Sequence, residues 1–340
     1  MLKREENEMI TRVGPGMPMG NTLRRYWMPA LLASELPHPD SDPLRVRLLG
    51  EDLIAFRDTN GAVGLVQNNC PHRGASLFFG RNEEAGLRCV YHGWKFDIEG
   101  NCVDIPNEPA ESDFKHKVKA TAYPTSEKAG VVWTYMGPPE KQPPLPDMEW
   151  MRAPAGHMWV SKTHEACNYL QAMEGGLDTS HSSFLHRDLS AEGLANPRAR
   201  STAPRLEVLN TDYGYMYASI RHLPQDQQNF VRIYHYVMPF YQLRAGGPAK
   251  TLGNTDGHIW VPIDDTTCWA WNFHFSHEKP QPYEEWQRYE HGMGRGLAED
   301  YLPGTFKLKA NASNDYLLSR EAQRSVNYTG IMGTNTQDFA

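Results

Sequence analysis

The feature that most constrains this chain is a pair of short segments that each carry one cysteine and one histidine. Cys70-Pro-His72 is followed, after sixteen intervening residues, by Cys89-Val-Tyr-His92. The chain has five cysteines, an odd and sparse set for 340 residues, which argues against a disulfide scaffold. Metal ligation is therefore the better explanation for the patterned pair.

Two kinds of metal centre use two cysteines and two histidines. One is a structural zinc ion, and the other is a [2Fe–2S] cluster in which two thiolates hold one iron and two imidazoles hold the other. The spacing alone does not separate these two alternatives. The flanking residues favour the cluster, because Pro71, Gly74 and Gly93 suit tight loops whose amides approach cluster sulfurs, and Trp94 can shield the cluster.

A second constellation lies downstream, at Asp178-Thr-Ser-His181-Ser-Ser-Phe-Leu-His186. We predict a helix from His164 to about Ser182, kinked or broken at Gly175-Gly176, with Asp178 and His181 on one face. Two histidines near a carboxylate are the start of a facial triad, which leaves open positions on Fe(II) for O₂ and a substrate. With fourteen histidines in the chain, however, this pattern alone also fits ordinary core or surface residues.

The remaining sequence predicts an α+β protein of two domains. Short apolar runs broken by Gly, Pro and Asn indicate strands, and a proline-rich stretch indicates a linker. We expect helical regions near Trp286 and from Tyr316 to Arg324. The predicted boundaries are an N-terminal helical segment (1–26), a β-rich domain (27–140), a linker (141–150) and a second domain with an antiparallel sheet (151–340).

The two motifs together resemble those of a known family. C-P-H-R-G-A-x-L and C-x-Y-H-G-W-x-F resemble the cluster-binding motif of Rieske non-haem iron oxygenases over most of residues 27–140. The D-x-x-H-x-x-x-x-H segment resembles the mononuclear-iron motif of the same oxygenase (alpha) components. Respiratory Rieske proteins carry an extra cysteine in each loop, and neither loop has one here.

The resemblance implies the role of each motif residue. Cys70, His72, Cys89 and His92 would hold the [2Fe–2S] cluster, and His181 and His186 would hold the mononuclear iron. Asp178 would be a carboxylate bridge for electron transfer, hydrogen-bonded to His181 and to His92 of the partner subunit. The family's fold is a Rieske domain followed by a helix-grip domain, and its assembly is a homotrimer or a stacked hexamer.

The third iron ligand implied by the resemblance is a distant aspartate. The C-terminal sequence looks like the phthalate dioxygenase branch, which assigns Asp338, with Asp315 as the fallback. Relatives continue beyond this aspartate, whereas here Ala340 is the last residue. We therefore expect either a truncated sequence or a weakly held third ligand, because chain ends fray.

The implied activity is hydroxylation of an aromatic compound with O₂ and two electrons from NAD(P)H, delivered by a flavin and iron–sulfur reductase. Similarity to phthalate dioxygenase favours dihydroxylation of an aromatic carboxylate, with Arg221, Arg232 and Arg244 as candidate clamps. The alternatives are a monooxygenase or O-demethylase, or a Rieske electron carrier without catalytic iron.

Charge and hydropathy limit the partners and the compartment. The net charge of −7 disfavours nucleic-acid binding. The sequence contains no apolar run long enough to predict a membrane span. The first nine residues lack the pattern of a secretory signal, so we expect a cytoplasmic protein.

Overall fold

A computed structural model of the chain describes residues 2–109, 111–245 and 254–340. The backbone divides into two compact units. The first contains residues 1–151 and 261–265, and the second contains residues 152–260 and 266–340. Among the described helices, none has the length and apolar character needed to cross a bilayer.

The first unit begins with two short helices. α1 (Arg4–Thr11) has Glu5 and Glu6 in its first turn, where negative charge favours the exposed N–H groups of a helix start. α2 (Pro18–Leu23) has proline at its first position, where the fixed φ angle suits a helix and a missing N–H costs nothing.

The rest of this unit is β-rich. Its described residues contain β1 (Trp27–Leu32), β2 (Leu44–Leu48), β3 (Glu51–Arg57), β4 (Val63–Gln67), β5 (Arg81–Glu83), β6 (Gly86–Arg88), β7 (Lys95–Phe96), β8 (Cys102–Asp104), β9 (Ala122–Tyr123), β10 (Thr125–Lys128) and β11 (Val131–Tyr135). They form three sheets, with strand orders β1-β11-β10, β2-β3-β4-β9 and β5-β6-β7-β8.

The predicted cluster loops lie beside the hydrophobic core of the first unit. Cys70 and Cys89 belong to a group of buried residues that includes Ile54 and Phe56 from β3 and Phe96 from β7. The first loop precedes Leu77, and the second lies between β6 and β7. Leu77, Leu87 of β6 and Phe96 of β7 are buried in this core, which fixes the positions of the loop ends. The β-rich character expected for this part of the chain is confirmed.

The second unit combines one large antiparallel sheet with helices. Its described elements are β12 (Met158–Glu165), α3 (Tyr169–Leu177), α4 (Ala191–Ala195), α5 (Pro197–Arg200), β13 (Arg205–Thr211), β14 (Gly214–Leu223), β15 (Gln228–Val237), β16 (Tyr241–Ala245), β17 (Asn254–Pro262), β18 (Cys268–Ser276), α6 (Tyr283–Gly292), α7 (Leu297–Asp300), α8 (Arg320–Ser325) and α9 (Thr334–Phe339). The seven strands follow the order β12-β18-β17-β16-β15-β14-β13. The predicted α+β fold class is confirmed.

The helix predicted from His164 to Ser182 is wrong at both ends. Strand β12 continues to Glu165, where it pairs with Cys268, and α3 begins only at Tyr169 because the Asn168 side chain caps it. The helix ends at Leu177, directly after the two glycines. At Gly176 a Cβ would lie 2.3 Å from ring carbons of Trp260, so glycine permits close packing there rather than breaking the helix.

Candidate metal centres

The two cysteine–histidine segments fold into loops of the same design. Each loop is closed by two backbone hydrogen bonds of 2.8 and 2.9 Å, namely Cys70 N to Ala75 O, Gly74 N to Cys70 O, Cys89 N to Trp94 O and Gly93 N to Cys89 O. Gly74 and Gly93 adopt φ angles of +74° and +78°, which glycine reaches without a steric penalty. The sequence motif therefore encodes two matching loops that each present one thiol and one imidazole.

The two thiols of these loops lie close to each other, as do the two imidazoles. The cysteines are buried, and burial together with the nearby Cys89 thiol raises the pKa of Cys70 to about 11. The rings of His72 and His92 lie 4.4 Å apart, and His72 stacks on Trp94 at 4.3 Å. The buried His72 Nδ1 has no hydrogen-bond partner, as is expected of a nitrogen atom that binds a metal instead.

The spacing of these donors fits a two-iron cluster better than a single zinc ion. Zinc would draw four ligand atoms to within about 4 Å of one another, given Zn–S and Zn–N bonds of about 2.3 and 2.0 Å. In the described residues, two groups of three metal-type ligand atoms lie within 4.8 Å of one another, and neither includes a residue of these loops.

One of those two groups is the triad predicted from the sequence. His186 Nε2 lies 3.1 Å from Asp338 Oδ1, and His181 Nε2 lies 3.6 Å from the same oxygen. The two Nε2 atoms are 3.1 Å apart. The fallback Asp315 is exposed in a different segment and does not belong to this group.

The second nitrogen of each imidazole is directed toward an oxygen acceptor. His186 Nδ1 lies 2.8 Å from Gln337 Oε1, and His181 Nδ1 lies 3.4 Å from Asp178 Oδ2. A proton held on each Nδ1 leaves a lone pair on each Nε2. Burial lowers the pKa of His181, which favours this neutral form, although Asp338 opposes the shift. Two lone pairs and a carboxylate oxygen facing one point fit a divalent iron.

Asp338 is held although it lies close to the last residue. It belongs to α9, and Asn335 Nδ2 donates to its Oδ2 at 3.0 Å. Arg295 in turn donates to Asn335 Oδ1, and Arg295 is buried with Glu290 as its ion-pair partner at 2.8 Å. A chain of polar contacts therefore links α6 to the carboxylate of the triad.

Asp178 and His181 lie close together, but not on a helix face as predicted. Asp178 follows the end of α3 with an extended backbone, and its carboxylate accepts hydrogen bonds from the backbone N–H groups of Ser180 (2.7 Å) and His181 (3.1 Å). Although desolvation opposes it, these bonds and the His181 ring lower the pKa of Asp178. The carboxylate is half-exposed, so it can accept a further hydrogen bond.

The three predicted substrate arginines do not share one environment. Arg232 and Arg244 line a cavity of about 1330 Å³ that also contains His181, His186 and Asp338. Arg221 does not line it, so its clamping role stays a prediction that this geometry does not favour. Arg221 is 1% exposed and donates to Ser183 Oγ, Thr179 O and Ser201 O, so its guanidinium is occupied by the chain on both sides of His181.

Sequence reasoning missed Arg198, which also lines this cavity. Burial lowers the pKa of Arg198, and the nearby Arg232 and Arg244 lower it further. The sequence also did not reveal Gln337 as the hydrogen-bond partner of His186. The adjacency of Gln337 to Asp338 was a usable signal, whereas nothing in the sequence shows that Arg198 in α5 faces the strands that carry Arg232 and Arg244.

Comparisons with known proteins agree with this geometry. Residues 26–124 match the Rieske [2Fe-2S] domain family, and residues 134–340 match the LigXa C-terminal domain like family. The chain is 40% identical over 355 residues to the phthalate 4,5-dioxygenase oxygenase subunit of Pseudomonas putida, covering 100% of this chain and 79% of the relative.

Two further similarities concern a second relative and the fold. The chain is 38% identical over 356 residues to the 3-chlorobenzoate-3,4-dioxygenase oxygenase subunit of Comamonas testosteroni, covering 100% of this chain and 81% of the relative. The crystal structure of dicamba monooxygenase bound to 3,6-dichlorosalicylic acid superposes with a TM-score of 0.62 at 20% identity, covering 81% of this chain and 84% of that one.

These matches confirm the predicted family, fold class and cofactor classes. The family uses a Rieske [2Fe–2S] cluster, a mononuclear iron and electrons supplied by a partner reductase. The chain therefore belongs to the Rieske non-haem iron aromatic ring-hydroxylating oxygenases, as an oxygenase component of their phthalate dioxygenase-like branch.

Proposed function

We propose that this oxygenase component dihydroxylates an aromatic carboxylate, using Cys70, His72, Cys89 and His92 to hold the [2Fe–2S] cluster and His181, His186 and Asp338 to hold the mononuclear iron. The reaction balances as arene, O₂, NAD(P)H and a proton giving a cis-dihydrodiol and NAD(P)⁺. When bound, the mononuclear iron would supply open coordination positions for O₂, and the cluster would supply electrons.

The observation that supports a carboxylate substrate is the cationic lining of the cavity beside the triad. Besides burial, Arg232 and Arg244 are close enough to Arg198 to lower its pKa. In the described part of the chain, neither Arg198 nor Arg232 forms an ion pair, and Arg232 donates only to the carbonyl of Ala245. An anion held by two guanidinium groups would relieve their mutual repulsion and gain charge-assisted hydrogen bonds.

The protein groups contribute binding and orientation. The arginines would fix the carboxylate, so the aromatic ring would lie at a set distance from the triad. Asp178 would orient His181 and, through its half-exposed carboxylate, accept a hydrogen bond from His92 of the partner subunit. This role supports a homotrimer or a stacked hexamer, in which the cluster of one subunit serves the iron of the next.

We also propose that the electrons come from NAD(P)H through a flavin and iron–sulfur reductase, and that the protein works in the cytoplasm. The domain boundaries expected from the sequence, with a linker at 141–150, belong to the same proposal. Sedimentation of the holoenzyme tests the assembly, because a monomer in solution would leave no partner subunit for Asp178.

The substrate class is tested with the holoenzyme, its reductase and NADH. We expect phthalate or a substituted benzoate to drive O₂ uptake, and the methyl esters to be poor substrates. Arg232→Gln should raise KM for the acid roughly 10- to 100-fold, since a hydrogen bond to a charged group contributes about 1.5–3 kcal/mol.

Arg205→Gln is the matched control, because Arg205 is exposed on β13 and pairs with Glu207 there. Equal use of ester and acid, or equal KM values for the two variants, would contradict the carboxylate clamp. Labelling with ¹⁸O₂ separates the alternatives: two labelled oxygens in the product indicate dihydroxylation, and one indicates monooxygenation or O-demethylation.

A further inference from the structure

A second group of metal-type ligands lies in the catalytic unit, and the proposed function gives it no role. The ligand atoms of Glu165, Cys167 and Cys268 all lie within 4.8 Å of one another. Glu165 Oε2 is 3.9 Å from Cys167 Sγ and 3.8 Å from Cys268 Sγ. These residues differ from the histidine triad in donor type, since two of the three donors are sulfur.

The fold assembles this group from two neighbouring strands and the turn that follows one of them. Glu165, the last residue of β12, is paired directly with Cys268, the first residue of β18. Directly paired residues on antiparallel strands project to the same face of the sheet. Cys167 follows two residues after Glu165, in the turn before α3, so its side chain reaches the same place.

Glu165 is poorly satisfied for a buried carboxylate. Its exposure is 6%, and Cys268 is fully buried. In the described part of the chain, the hydrogen-bond partners of the Glu165 side chain are the two thiols, which are weak donors at long distances. Burial raises the pKa of Glu165, and nearby Cys167 and Asp338 add to the shift. A buried carboxylate of this kind is stabilised either by a proton or by a cation.

The pKa of Cys167 is shifted in the opposite direction to that of Glu165. A hydrogen bond from Cys268 lowers the pKa of Cys167 to about 7, and the backbone N–H of Ala172 in the first turns of α3 contributes. Zinc binding displaces the thiol protons, so both cysteines would bind the ion as thiolates.

We propose that Glu165, Cys167 and Cys268 form a binding site for zinc, separate from both iron centres. The Glu165–cysteine separations of 3.8 and 3.9 Å, with all three ligand atoms within 4.8 Å of one another, are close to the roughly 3.5–3.8 Å between ligand atoms that zinc bonds of about 2.0–2.3 Å give at tetrahedral angles. Two soft thiolate ligands also favour zinc over mononuclear Fe(II). The nitrogen and oxygen ligands of His181, His186 and Asp338 are harder and suit that iron.

The site opens toward the catalytic cavity. Glu165 and Cys167 line that cavity, whereas Cys268 does not. Three protein ligands with an open fourth position leave room for water or an exchangeable ligand on the cavity side. Bound zinc would also tie the start of β18 to the turn before α3, the helix that leads to Asp178 and His181.

X-ray absorption at the zinc edge tests the site in iron-replete holoenzyme given one equivalent of zinc. We expect two sulfur scatterers at about 2.3 Å and an oxygen shell at about 2.0 Å. The measurement is selective, because the Rieske cluster contributes sulfur bound to iron and not to zinc. Zinc surrounded only by nitrogen and oxygen, or no zinc retained after gel filtration, would overturn the proposal.

The variant Cys167→Ser is an independent test, and the protein should tolerate it because Cys167 is only partly buried. It should weaken zinc binding at least as much as the roughly 10- to 100-fold that loss of an outer partner costs at metal sites. Cys102→Ser is the control, because Cys102 is a buried thiol of the first unit whose Sγ contacts the Asp104 carbonyl. Equal zinc affinity in the two variants would contradict the assignment.

Discussion

The two iron centres of this chain are built in opposite ways. The cluster loops are local: each closes within six residues through its own backbone hydrogen bonds, and a glycine with positive φ completes each turn. The triad is assembled over a long range, because His181 and His186 meet an aspartate from α9. The cluster centre therefore depends on the sequence of two short loops, and the triad depends on the stability of the whole second unit.

The largest expected effect is loss of the cluster on removal of one of its thiolates. Cys89→Ser should abolish the visible cluster spectrum and all turnover, because both thiolates hold the same iron. The mononuclear iron should remain, because its ligands belong to the other unit. Iron and sulfide analysis measures both, with Cys102→Ser as the control that keeps the cluster. Loss of all three irons in Cys89→Ser would show that the centres are not independent.

Removing Arg221 should destabilise the long-range centre without touching its ligands. Arg221→Met leaves the carbonyls of Thr179 and Ser201 and the hydroxyl of Ser183 without their buried donor. We expect a loss of about 2–4 kcal/mol in the unfolding free energy of the catalytic unit. Denaturation followed by fluorescence and by cluster absorbance separates the two units. A raised KM with unchanged stability would contradict this structural role and support Arg221 as a substrate clamp.

A smaller effect is expected from the partner of His186. Gln337→Leu removes the acceptor for His186 Nδ1 and should weaken mononuclear iron binding roughly 10- to 100-fold, while the cluster stays unchanged. Gln142→Leu, in an exposed position of the first unit, is the control. Chelator competition measures the affinity. An unchanged affinity would mean that packing alone holds the imidazole.

The smallest effects distinguish the two cluster loops from each other. Gly74→Ala meets no atom within 4 Å and should cost about 1–2 kcal/mol for the left-handed backbone alone. Gly93→Ala should cost more, because its Cβ would lie 2.6 Å from Pro106 Cγ. Thermal unfolding monitored at the cluster absorbance ranks them, and an equal cost would show that Pro106 moves away freely.

The same contrast explains how much the sequence could predict. The cluster ligands lie in two short motifs, so the sequence contains nearly all the information about that site. The histidine pair and Asp338 were also predicted, but through resemblance to a family, because no local pattern joins residues so far apart. The α3 start was misjudged because the turn residues 166–168 carry no glycine or proline to mark the end of β12.

The arginines show the limit of sequence reasoning most clearly. Arg221 and Arg232 both lie on strands of one sheet, yet one is buried among carbonyls and the other lines the cavity. Both project from the same face, because Arg232 is paired with Ser219, two residues before Arg221 on β14. Strand alternation therefore does not distinguish them, and what covers each one is decided by tertiary packing. Arg198 was missed for the same reason, since its position beside Arg232 and Arg244 is a tertiary arrangement.

The most direct test of the central claim is iron and acid-labile sulfide per chain in anaerobically reconstituted wild-type protein and in Asp338→Ala. We expect three irons and two sulfides in the wild type, and two irons and two sulfides in the variant with an unchanged cluster spectrum. Two irons in the wild type would contradict a catalytic iron centre and leave an electron carrier. Three irons in Asp338→Ala would contradict Asp338 as an essential ligand.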